Sequence, residues 1–149
     1  MLNSELFLFL YKEISQEGEG RTFSQVKTTY LKKLPFKYVN SESLKVLYKY
    51  LEATGLIDEQ SILHQFYLSV NDSCFYELFF SDELKMANKE ILKYLEDLKP
   101  IDDSMSEEEK LAVIQSEFER LYDDNHPVKF AIETLDSIEE VRIIKEALK

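Results

Sequence analysis

Cys74, His64 and His126 are the side chains of this chain best suited to act as nucleophile, general base or metal ligand, and all three are scarce in it. A thiolate beside an imidazole is a nucleophilic pair, but Cys74 is followed by Phe75 and Tyr76, apolar company that keeps a thiol protonated and inert. His64 alternates with Ile62 and Phe66, which places it at the core or its edge. His126 follows Asp123 and Asp124 and precedes Pro127; these residues fall short of a coordination shell. Neither G-x-S-x-G, H-E-x-x-H, a phosphate-binding glycine loop nor a two-cysteine metal pattern occurs. The expectation is a non-enzyme with no catalytic residues, no cofactor and no metal.

Charge offers a different chemistry. Residues 51–149 hold 10 basic and 24 acidic side chains, a net −14, whereas residues 21–50 hold seven basic side chains against Glu42 alone. Blocks of like charge create local fields that a partner feels before contact. The acidic set Asp102, Asp103, Glu107, Glu108, Glu109, Asp123 and Asp124 could stand where phosphates stand and occupy the basic surface of a nucleic-acid enzyme or toxin. The same residues also have local uses: carboxylates in a first helical turn offset the macrodipole, and Asp-Asp-Asn is ordinary turn material. In the basic island, Lys27, Lys32, Lys33, Lys37, Lys45 and Lys49 are candidate phosphate contacts.

These groups need elements to position them. Leu6, Leu8, Phe9, Leu10 and Tyr11 predict a first helix over about 2–15, and Ser24 can cap a second through about Leu34, stopped by Pro35. After Asn40 or Ser41 as cap, Leu44, Leu47, Tyr48 and Leu51 recur at helical spacing, with Gly55 as the residue that ends the helix. From Ile62 to Val70 the period changes to two; Asn71, Asp72 and Ser73 supply turn residues, and Cys74 to Phe80 returns as an aromatic strand. That predicts a central antiparallel β-hairpin whose outer face carries Tyr67, Phe75, Glu77 and Phe79 as a recognition patch, with a free edge for homodimerisation. Beyond it, a helix with a stripe from Leu84 to Leu98, a capping box at Ser106 and Glu109 before another helix, an ambiguous helix or strand over 128–135, and a capping box at Ser137 and Glu140 before a last helix complete the reading.

The order of a helix before Pro35, a turn, a helix ending in Leu-Glu-Ala-Thr-Gly-Leu-Ile and a hairpin resembles a winged helix over residues 21–80. The resemblance implies that Ser41, Glu42, Ser43, Lys45 and Lys49 on the reading helix face a groove, with a wing behind. The expected fold class is therefore mostly α (α+β): one domain over 1–149, divisible into a winged-helix-like part over 1–80 and an acidic helical part over 81–149. One cysteine admits no intramolecular disulfide, and no secretory signal pattern or spanning segment is evident, so a cytoplasmic setting without membrane is expected. The function expected first is an acidic binding protein that inhibits or regulates a protein partner, by analogy of size and charge with immunity proteins, antitoxins and phage inhibitors; a winged-helix DNA-binding regulator is the alternative.

Overall fold

A computed structural model describes residues 4–15, 32, 34, 35 and 41–149, and among these there is no strand. The chain folds into α1 (Glu5–Ser15), α2 (Glu42–Ile57), α3 (Ile62–Phe79), α4 (Ser81–Met86), α5 (Glu107–Leu121), α6 (Pro127–Glu133) and α7 (Glu139–Leu148), with short 3-10 turns at Leu92–Tyr94 and Leu135–Ser137. Mostly α is thus correct, and the central β-hairpin is not.

The segment read as a hairpin is the single helix α3. Ser61 starts it, with extended backbone and a hydroxyl that accepts from His64 N at 3.2 Å. Its apolar residues point nearly all round because it is packed on nearly all sides: Phe66, Tyr67, Val70 and Cys74 enter one core, Phe75 and Tyr76 another. A helix buried this way has no single stripe, so its period is not legible, and aromatic content then favours the strand reading. The supposed turn residues have helical uses instead. Ser73 Oγ donates back to Ser69 O at 2.8 Å, and Asp72 Oδ1 accepts from Glu5 N at 2.9 Å, supplying the start of α1 with a partner from outside its own helix. The hairpin that would have served as a wing, and the strand edge for self-association, are absent among the described residues.

The first core joins α2, α3, α5 and α6 through Leu47, Tyr50, Tyr67, Val70, Ile114 and Ala131, together with Leu95 and Leu98 of the connecting segment. The second joins α1 and α7 to the C-terminal half of α3, where Phe7 meets Phe75 and Phe79 edge-on at 6.3 and 5.7 Å. Each large side chain removed from water here contributes about 1.5–3 kcal/mol.

Capping decides the remaining boundaries. Ser41 caps α2, which runs on through Gly55 to Ile57. The helix expected from Leu84 to Leu98 ends at Met86, because Asn88 turns the chain with φ 55°. Glu77 Oε2 then accepts from Ile91 N at 2.6 Å and Leu92 N at 2.9 Å, fixing the 3-10 turn. The Ser106–Glu109 capping box is formed at α5. The ambiguous segment is helix, α6, with Pro127 in its first turn. No side chain caps α7; Ser137 instead accepts from the buried Lys89 ammonium at 2.6 Å, which also donates to Thr134 O.

An Asn71→Pro substitution separates the two readings of residues 62–80. Proline suits a hairpin turn, but inside α3 it should remove about 3 kcal/mol or more of unfolding free energy, measured by urea denaturation.

Candidate functional site

The exposed side of α2 gathers the features that a partner could use. Leu56 is 82% exposed, Tyr48 64% and Ile57 56%, while Ile62, across the 58–61 turn at the start of α3, is 78% exposed. The i, i+3 and i+4 stripe of α2 is already occupied in the core by Leu47, Tyr50 and Thr54, so these residues are surplus to packing. Two grooves flank them. One, about 230 Å³, lies between α2 and the segment 101–110 and is lined by Glu52, Leu56, Asp102, Asp103, Glu107 and Lys110, among others. The other, about 380 Å³, lies between α2 and the first half of α3 and includes Leu51, Glu52, Leu56, Glu59 and His64. Glu52 and Leu56 belong to both.

The acidic side of the first groove is held in place by backbone anchors. Lys49 Nζ donates to Ile101 O at 3.3 Å, and the Tyr50 hydroxyl donates to Lys99 O, tying the segment to α2. Asp102 accepts from the Ser104 hydroxyl and from Ser104 N at 2.8 Å, bonds that hold its carboxyl below the usual range. Glu107 pairs with Lys110 at 2.8 Å, and that hydrogen bond raises the ammonium pKa. Glu109 is committed to the capping box. Asp103 and Glu108 remain exposed and outside any ion pair among the described residues.

Asp123 and Asp124 are not part of this corner. They follow the far end of α5, whose 15 residues at about 1.5 Å each span roughly 22 Å. Asp123 Oδ1 accepts from Asn125 N at 3.0 Å, and Asp124 pairs with Lys129, whose hydrogen bond lowers its pKa.

The recognition patch drawn on the hairpin does not exist as a face. Tyr67 is fully buried and donates to Ile114 O at 2.8 Å. Phe75 is buried, Phe79 is half-buried beside Phe7, and Glu77 caps the 3-10 turn. Of the basic residues, Lys27, Lys33 and Lys37 lie outside the described residues. Lys32 is exposed, Lys45 pairs with Glu42 at 2.6 Å, and Lys49 is turned to Ile101 O. Ser41 is the α2 cap and Ser43 is half-buried.

The buried ionisable groups are structural. Glu117 is buried, held by Arg120 at 2.6 Å and with Lys99 at 3.7 Å, while Arg120 also reaches Asp97 at 3.4 Å. Burial, then the Glu117 charge, pushes the Tyr50 hydroxyl up; burial, then Tyr50 and Glu117, does the same to Tyr67. Cys74 has no exposure, and burial raises its thiol pKa. His126 Nδ1 accepts from Val128 N at 3.2 Å, a cap for α6, and burial lowers its pKa. Among the described residues no three His, Cys, Asp or Glu converge as a metal site, and no helix is long and apolar enough to cross a membrane.

Glu52, Leu56 and Glu59 are among the lining residues that sequence reasoning missed. Their available signal was Leu56 and Ile57, two large apolar residues following an already complete helical stripe. Comparison with known proteins adds nothing to this picture: no protein-family model, curated protein or solved structure matches the chain.

Two outcomes test the structural roles. Glu117→Ala leaves Arg120 short of its buried partner and should lower unfolding free energy by roughly 3 kcal/mol in denaturant titration. Asp72 is the second case. Burial outweighs the Glu5 amide hydrogen bond and pushes its carboxyl up to about 7, with the Glu5 charge adding to the rise and Lys145 opposing it. The folded chain therefore keeps a proton that the unfolded chain loses near pH 4, and this group's contribution falls as pH rises from about 4 to 7. Asp72→Asn should gain stability relative to the parent between pH 5 and pH 8, measured by thermal unfolding at each pH; a constant difference would contradict it.

Proposed function

We propose that the chain is a non-enzymatic acidic binding protein that docks on a basic protein partner and thereby inhibits or regulates it. The observation that carries this reading is the exposed α2 ridge. Leu56, 82% exposed, stands between two grooves that both include the Glu52 carboxylate, with Asp102, Asp103 and Glu107 on one side and Glu59 on the other. An apolar centre with a charged rim is the anatomy of a protein interface, and a rim on which carboxylates outnumber ammonium groups steers a partner of opposite charge.

The net −14 of residues 51–149 works in the same direction, since a field of one sign accelerates encounter with a cationic surface. The imbalance also opposes phosphate, which favours a protein over a nucleic acid as the partner. The lone, buried Cys74 suits a reducing compartment, and a cytoplasmic setting belongs to the same proposal.

The test is capture from native host lysate at low and near-physiological salt, with a nuclease-treated arm. The parent chain is compared with an Asp102→Lys/Asp103→Lys variant and with Leu56→Glu. A stoichiometric protein that survives nuclease should be captured, and both variants should lose at least tenfold of it while unfolding as the parent does. Capture of nucleic acid alone, or a protein retained equally by all three chains, would overturn the reading.

A further inference from the structure

The groove between α2 and α3 contains a nearly buried polar atom that the fold leaves without a partner among the described residues. His64 is 9% exposed and lies against Gly55, where an added Cβ would stand 3.1 Å from its Cε1. A side chain at position 55 would press on the imidazole, which would have to give by a few tenths of an ångström. His64 Nδ1 is 2.8 Å from Thr54 Oγ1, and the Thr54 hydroxyl also lies 2.8 Å from Tyr50 O. A hydroxyl has one proton, and in a helix it goes to the carbonyl one turn back. Thr54 Oγ1 is therefore the acceptor for His64 Nδ1–H, and the lone pair of the neutral ring sits on Nε2. No hydrogen-bond partner meets Nε2 among the described residues, and the ring lines the groove. A nearly buried acceptor without a partner is a cost that a ligand donor would remove.

The groove around it specifies the donor. Leu51, Leu56 and Leu68 supply apolar walls, Tyr48 an exposed aromatic ring, and Glu52 and Glu59 two exposed carboxylates. Among the described residues no Lys or Arg lines it. An apolar stem ending in a positive charge with several N–H donors complements this set. An arginine side chain has such a stem, a planar head with five donors, and affinity for aromatic faces.

We propose that the α2–α3 groove is a socket for an arginine side chain of the partner, its stem against Leu51, Leu56 and Leu68 and its guanidinium shared by His64 Nε2, Glu52 and Glu59. This inference rests on the protein-partner reading above and names the chemistry of its central contact. The fold reserves Thr54 to orient the imidazole and Gly55 to admit it, so the socket exists before the partner arrives.

The experiment is a nuclear magnetic resonance titration of the whole chain with N-acetyl-argininamide at millimolar concentrations, beside the isosteric but neutral N-acetyl-citrullinamide. The arginine compound should give saturable shifts at the His64 imidazole and the Gly55 amide, with the citrulline compound at least tenfold weaker. Glu52→Gln/Glu59→Gln, on exposed positions that leave the core intact, should weaken arginine at least tenfold without changing thermal unfolding. His64→Phe should abolish the preference even if the carboxylates remain. Equal binding of the two compounds, no saturable shift, or shifts confined to the Asp102–Asp103 corner would overturn the socket. Failure here with lysate capture still lost in the charge-reversal variant would remove the socket and leave the protein-partner reading standing. Loss of that capture pattern with arginine still bound would do the reverse.

Discussion

Burial of α3 on almost every side is the constraint on which the rest of the structure depends. An 18-residue helix that is apolar all round cannot lie on a surface, so α1, α2, α5, α6 and the 3-10 turn before α5 must enclose it. Its polar atoms are spent on fixing that enclosure. Tyr67 donates to α5 at Ile114 O, Asp72 receives the first amide of α1, and Glu77 holds the amides of Ile91 and Leu92. Tyr76 donates to Glu5 Oε2 at 3.0 Å and thereby fastens α1 a second time. Together these bonds join α3 to α5, to α1 and to the 3-10 turn, so the helix acts as core and as template at once.

That role explains what sequence reasoning could read. α2 and α5 each carry one apolar stripe behind a serine cap, and both were legible. α3 was not: hydrophobic residues on all faces erase the 3.6-residue signal, and Asn71–Asp72–Ser73 imitate a turn when their side chains serve distant backbone. Local signals failed elsewhere for the same reason. Ser137 and Glu140 have the spacing of a capping box, but Ser137 is drawn to the Lys89 ammonium, a contact across 48 positions. The stripe from Leu84 to Leu98 breaks at Asn88, whose positive φ depends on where the chain must go next. Of the acidic set, Asp102 to Glu109 form a corner because they are contiguous, whereas Asp123 and Asp124 sit beyond the other end of α5. The second groove was not legible, since it needs Thr54 and Gly55 of α2 to meet His64 of α3.

Charge is thus divided by purpose. Glu117 is spent inside, where a buried carboxylate demands its partner Arg120, and the Lys99–Glu117 and Arg120–Asp97 pairs tie α5 to the segment before it. Glu52, Glu59, Asp103 and Glu108 are left outside at small energetic cost, because exposed carboxylates retain their water. The α2 ridge has surplus apolar residues because the core buries Leu47, Tyr50 and Thr54 and packs against Leu44, Val46, Leu51 and Ala53, which leaves Leu56 and Ile57 to solvent.

Residue-resolved amide hydrogen exchange under native conditions tests the central place of α3 most directly. If α3 is the enclosed template, the amides from Val70 to Tyr76, including Asp72 and Ser73, exchange only through global unfolding and are among the slowest in the chain. Rapid exchange at Asn71 to Ser73, flanked by separately protected segments, would mean two elements joined by a turn and would contradict the account.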